Sequence, residues 1–147
     1  MLDPPQYSTT SSLALSIYEA LESECVDADA LFEKCGLSLA LIKRQETRID
    51  ADIIKELWSL SVSTTKNDAF GLVVVDYLTS NSLNALGVAL AASANIAQAR
   101  DRILKYYQTV SSGLSLRVNF VGDTSEFIIS SVPDYNVAQE AVDTLMG

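Results

Sequence analysis

The sequence predicts an α+β domain, mostly helical, with one antiparallel β-hairpin near residues 114–131. Three observations carry this. Apolar residues recur at helical spacing, as in Ile96, Ala99, Ile103, Tyr106, Tyr107 and Val110. Capping side chains stand where such stripes begin, at Asp27, Asp50 and Asn95. Then Leu114, Leu116, Val118 and Phe120 alternate with Ser115, Arg117 and Asn119, ahead of Gly122-Asp123, a two-residue turn of the Gly-first kind. Pairing across that turn sets Val118 against Phe127 and Leu116 against Ile129, all on one face. A one-residue slip would turn the second strand's apolar residues to the wrong side.

Taken in order, residues 1–10 read as a flexible lead-in and 11–147 as one domain. Ser11 or Ser12 can cap a helix burying Leu13, Ile17, Ala20 and Leu21. Asp27 caps a short helix through Leu31 and Phe32, closed by Gly36. Leu37 to Ile42 is a further apolar turn or short helix, and 43–48 is a polar, solvated connection. From Asp50 a longer helix lines Ile53, Leu57, Leu60 and Thr64 on one face, with Ile54 and Trp58 alongside. Residues 70–78 are ambiguous: three consecutive valines favour a buried strand, while Phe70, Val73, Val74 and Tyr77 also fit a helical face.

Residues 83–92 are apolar nearly all round, which predicts a helix buried on most sides. Gly87 and Ala91, four apart, invite a close backbone approach. Asn95 with Gln98 forms a capping box for the next helix, and Gly113 is expected to end it in the manner of a C-terminal glycine. After the hairpin, Pro133-Asp134 marks a turn. Asn136 with Gln139 then predicts a second capping box, for a last helix burying Val137, Ala141 and Leu145.

Composition narrows the function. At 147 residues, one domain can bury ~68–70% of its unfolded surface. Ten Lys and Arg against nineteen Asp and Glu, a net charge of −9, leave no basic face for nucleic acid. A hydrophobic content of 48% leaves room for an apolar pocket or interface. The chain has no histidine, which removes the Ser-His-Asp triad, the Cys-His pair and His metal ligands. Cys25 and Cys35 lack zinc spacing and read as reduced thiols. Gly-rich phosphate loops are missing. No catalytic residue, metal or cofactor is therefore expected. The N-terminus lacks the basic and apolar regions of a signal peptide, and no run reaches membrane-spanning length, so the expected location is the cytoplasm.

Four segments carry a family likeness. They are Arg48-Ile49-Asp50 followed by Leu57-Trp58; Asp68-Ala69-Phe70-Gly71-Leu72; Leu86-Gly87-Val88-Ala89-Leu90 with Ser93; and Ala99 through Tyr106. In order and spacing the chain, from about Leu13 onward, resembles the N-terminal sensing domain, often labelled arabinose-binding, of bacterial AraC/XylS-type transcription regulators. Asp50 departs from the family's usual proline, Val74-Val75-Asp76 from its Gly-Glu pair, and Arg100 from an aliphatic residue.

The resemblance favours helix for 70–78. It implies a regulatory domain that senses an effector or dimerises, or both, to control a helix-turn-helix DNA-binding domain lying outside this chain. A stand-alone interaction module without a small ligand is the alternative, and nothing favours an enzyme. The expected partners are a small-molecule effector, a second copy of the chain, DNA only through the attached domain, and no membrane.

Arg100 is the residue out of pattern, at the edge of an apolar stripe beside Leu104 and Tyr107. A buried guanidinium must be paired. It is expected to meet an acidic residue such as Asp76, to run its head out to solvent, or to anchor an anionic effector among Trp58, Phe70, Tyr77, Tyr106 and Tyr107.

Overall fold

The structure, a computed structural model, describes residues 6–44 and 47–147. Strand β1 (Ser8–Thr10) pairs antiparallel with β2 (Arg48–Asp50), with Thr9 opposite Ile49. The lead-in expected to reach Thr10 thus gives way to structure at Ser8; its first five residues lie outside the described ones. Arg48, expected in a solvated charge run, ties this corner together. Its Nε donates to Ser8 Oγ at 2.9 Å and its Nη2 to the Ser8 carbonyl at 2.7 Å, while Nη1 reaches the Thr109 carbonyl.

Helix α1 (Ser11–Ser23) follows directly. Ile17, Ala20 and Leu21 are buried as expected, Leu13 only half. Neither serine caps: Thr10 takes that position without a side-chain bond, and Ser11 Oγ donates to the Arg44 carbonyl at 3.0 Å. The Asp27 carboxylate accepts from the Ala30 amide at 3.0 Å to start α2 (Ala28–Lys34). Gly36, at φ +71°, turns the chain after it. α3 (Leu39–Ile42) is a single turn capped by Ser38.

The Asp50 carboxylate caps α4 (Ala51–Thr65) through the Asp52 amide at 2.9 Å. The buried face is Ile54, Leu57, Trp58 and Ser61. It is rotated from the expected one: Ile53 and Leu60 are half-buried and Thr64 is exposed. The ambiguous valine segment is helix α5 (Phe70–Val75), because Phe70, Gly71 and Val74 face inward one turn apart. A Cβ at Gly71 would lie 2.4 Å from the Glu140 carbonyl oxygen, so glycine lets α8 (Gln139–Met146) pack backbone to backbone.

Helix α6 (Asn84–Ala91) overturns an expectation. Only Leu86 and Gly87 are buried, and Val88 is 63% exposed. Gly87 does meet another backbone, the Ser80 carbonyl in the preceding loop, whereas Ala91 is exposed. α7 (Ile96–Tyr106) starts as predicted, with Asn95 Oδ1 accepting from the Gln98 amide at 2.9 Å and Gln98 Oε1 accepting from Ala94 at 3.1 Å. Its apolar stripe is covered only at the far end. Ile96 is 87% exposed, whereas Tyr107, in a 3₁₀ turn (Tyr107–Thr109), and Val110 are buried.

Gly113 is not a left-handed cap. It is needed because a Cβ there would meet the Tyr135 ring at 2.8 Å. Strands β3 (Leu114–Val121) and β4 (Thr124–Ser131) pair in the predicted register, Val118 with Phe127 and Leu116 with Ile129, around Gly122 at φ +61°. The second capping box does not form. α8 starts after Ala138 without a side-chain cap, and Ser131 Oγ instead accepts from the Val137 amide at 3.1 Å. Val137, Ala141 and Leu145 are half-buried. The fold is thus α+β, with two antiparallel two-stranded sheets among the described residues.

Candidate functional site

The buried apolar residues fall into two clusters. The first joins α1 to α5 through Ile17, Leu21, Phe32, Leu57, Trp58 and Phe70. The second gathers Leu86, Tyr107, Val110 and Leu114, with Leu83, Ile129, Val137 and Leu145 packed around them. A cavity of about 50 Å³ lies between, walled by Ile54 and Trp58 of the first cluster and by Tyr107, Val110, Leu114 and Leu145 of the second. At this volume it has room for water rather than for a drug-sized ligand.

Each wall residue is placed by local structure. Lys55 and Trp58 share a face of α4 at three-residue spacing. Trp58 is 1% exposed, and its indole N–H has no acceptor among the described residues. Tyr107 enters where α7 tightens into the 3₁₀ turn, and burial pushes its phenol up to about 12. Tyr135 swings back from the Pro133-Asp134 turn and donates to the Ala51 carbonyl at 2.8 Å. Its phenol is also pushed up to about 12, by burial first and then by the carboxylates of Asp52 and Asp50. Both phenols therefore remain neutral hydrogen-bond donors at ordinary pH. Lys55 Nζ lies 6.0 Å from the Tyr135 ring centre. Thr9 and Ser111 satisfy each other through their hydroxyls at 3.3 Å.

Of the residues expected to frame one site, only Trp58 and Tyr107 meet in this wall. Phe70 stands edge-on to Trp58, ring centres 6.2 Å apart, inside the first core. Tyr77 lines a separate groove of about 640 Å³, with Leu15, Ser16, Ile42, Arg44 and Val88. Tyr106 is on the surface, with Lys105 Nζ 5.1 Å from its ring.

Arg100 is apart from all of them. Its Nη2 pairs with Asp101 at 2.7 Å, not with Asp76, and its guanidinium sits 5.0 Å above the ring of Phe120. No residue of α7 is fully buried, so Arg100 is not forced inward. Lys55 and Tyr135 escaped the sequence reading. Lys55 looks like polar helix surface, and an aromatic just past a turn belongs to no periodic face.

No helix among the described residues is long and apolar enough to cross a membrane. No curated protein matches the chain. Residues 26–147, from the start of α2 to the end of α8, match the N-terminal arabinose-binding domain of AraC transcription regulators. That module is a regulatory ligand-binding domain rather than an enzyme class, and the chain belongs to this family.

Proposed function

We propose that this domain senses a small-molecule effector in the cavity between its two cores and passes the bound state to an attached DNA-binding domain in the cytoplasm. One observation carries the reading. The wall draws on both clusters, so an occupant holds α8 and the base of the hairpin against α4 and shifts their balance by its preference for one arrangement. The acidic chain lacks a basic face, so DNA contact belongs to the attached domain.

Ala141→Leu tests this. Ala141 lines the cavity from α8, and leucine there fills space without introducing a poor helix former. Stability should rise by ~0.5–2 kcal/mol, as for cavity filling elsewhere, while a reporter driven by the full-length regulator loses its effector response. A normal response from the filled cavity moves the effector site elsewhere.

Self-association is the second part of the reading. Phe120 is 64% exposed, and Val88, Ile96, Val121 and Phe127 are exposed with it on α6, α7 and the hairpin. Apolar groups left in water in this number favour a second copy of the domain as their cover. Phe120→Asp should leave the fold intact and shift light-scattering mass to the monomer. A wild-type chain that stays monomeric at high concentration removes this part. The same exposed residues support the alternative of an association module with no small ligand, which an effector response lost in Ala141→Leu would exclude.

A further inference from the structure

We propose that the groove over α1 is a second binding site, for a carboxylate with an apolar body. It is separate from the cavity between the cores and does not depend on what that cavity holds. Its volume of about 640 Å³ falls within the range of small-molecule sites, roughly 300–1,000 Å³.

The groove has a floor and two shoulders. Ser12, Leu15, Ser16 and Glu19 form the floor. At spacings of three and four they share one face of α1. The end of α3 is one shoulder, with Ile42, Lys43 and Arg44. Tyr77, the loop after it and the start of α6 are the other.

Side-chain bonds hold this second shoulder to the floor. Ser12 Oγ donates to Asn84 Oδ1 at 2.9 Å. Ser16 Oγ donates to the Tyr77 carbonyl at 3.1 Å and lies 3.0 Å from Ser82 Oγ, hydroxyl to hydroxyl. Asn84 stands at φ +50°, a left-handed conformation that asparagine tolerates better than most residues. Walls fixed before a ligand arrives need little ordering when it binds.

The serines are thus committed to one another and to the backbone, and what is left for a ligand is weighted toward donors. Asn84 keeps its side-chain N–H groups, and Lys43 and Arg44 carry donors alone. Arg44 belongs to the Ser12 end of the groove, because its carbonyl accepts from Ser11 Oγ at 3.0 Å. Glu19 is at the other end, about 10 Å farther along the helix. A negatively charged, acceptor-rich head is matched at the first end and repelled at the second. Leu15, Ile42, Val88 and the Tyr77 ring also line the groove. A sugar or a phosphate leaves such groups in water, whereas an apolar body covers them.

We would titrate ¹⁵N-labelled protein with 4-phenylbutyrate, its neutral amide, inorganic phosphate and L-arabinose, following the backbone amides. 4-Phenylbutyrate should move those of residues 42–44 and 77–88 saturably. The amide should bind about tenfold more weakly, and phosphate and arabinose should move nothing over the same range. Arg44 is exposed, and Arg44→Gln, with Lys43 retained, should weaken binding by about three- to tenfold. Ala85 is an exposed residue of the groove. Ala85→Glu sets a like charge there, early in α6 where an acidic side chain suits the helix, and should abolish binding without lowering thermal stability. Ala141→Leu, in the other cavity, should leave binding unchanged.

Equal binding of acid and amide, or unaltered affinity in Arg44→Gln, overturns the anionic head. Saturable movement of the same amides by phosphate or arabinose overturns the apolar body. Binding that survives Ala85→Glu and is lost in Ala141→Leu belongs to the cavity and overturns the groove as a site, as does the absence of movement with all four probes. The reporter response of Ala141→Leu tests the cavity on its own, so the two readings fail separately.

Discussion

Alkaline pH is the sharpest probe of how tightly the two cores close on Tyr107. Its phenol is 6% exposed, and burial moves it from 10.0 to about 12. The folded state therefore holds the proton more tightly than the unfolded chain. Stability is fully present below pH 10, the unfolded value, and is lost as pH rises through the folded value near 12. At ~1.36 kcal/mol per pH unit the full effect is about 3 kcal/mol, of which about 2 kcal/mol is gone by pH ~11.5.

Tyr107→Phe removes the titrating group and keeps the ring. Urea unfolding of both chains at pH ~8.5 and ~11.5 isolates this one phenol, because the other tyrosines and the cysteines are common to both. The wild type should lose about 2 kcal/mol more than the variant between the two pH values. Parallel losses would show that the Tyr107 phenolate reaches water in the folded state. The boundary between the cores would then be open rather than closed at Tyr107.

Two further outcomes follow from the packing. Gly87→Ala places a Cβ 1.9 Å from the Ser80 carbonyl oxygen, a backbone atom that cannot swing aside. Unfolding should show a loss of about 1–3 kcal/mol, the usual cost of overpacking, and an unchanged midpoint would mean that the 79–82 loop does not pass there. Arg48→Met removes the three hydrogen bonds to Ser8 and Thr109. It should cost about 1–3 kcal/mol and speed amide exchange at Thr10, whose N–H donates to the Val110 carbonyl at 2.9 Å; unaltered exchange would show that Arg48 does not hold β1.

What the sequence alone determined is local. The hairpin register follows from alternation and a turn whose first residue must adopt positive φ, both written within residues 114–131. Asp27, Asp50 and Asn95 cap helices because a side chain needs to reach only two or three residues ahead. Periodicity says which face of a helix is apolar, but not whether another element arrives to cover it.

Tertiary packing alone left α6 and the start of α7 exposed, turned α4 toward Trp58 and Ser61, and started α8 only after an extended Ala138, past the cap expected at Asn136. It also decided the candidate site. Trp58 and Tyr107 were legible as large apolar groups on helical stripes. That they meet across a cavity depends on contacts between residues tens of positions apart, whereas Arg100 stays with its sequence neighbour Asp101 and with Phe120. Glycine shows the same division. Gly36 and Gly122 serve their own turns, whereas Gly71, Gly87 and Gly113 exist for a neighbour's backbone or ring, and no spacing along the chain reveals which neighbour that is.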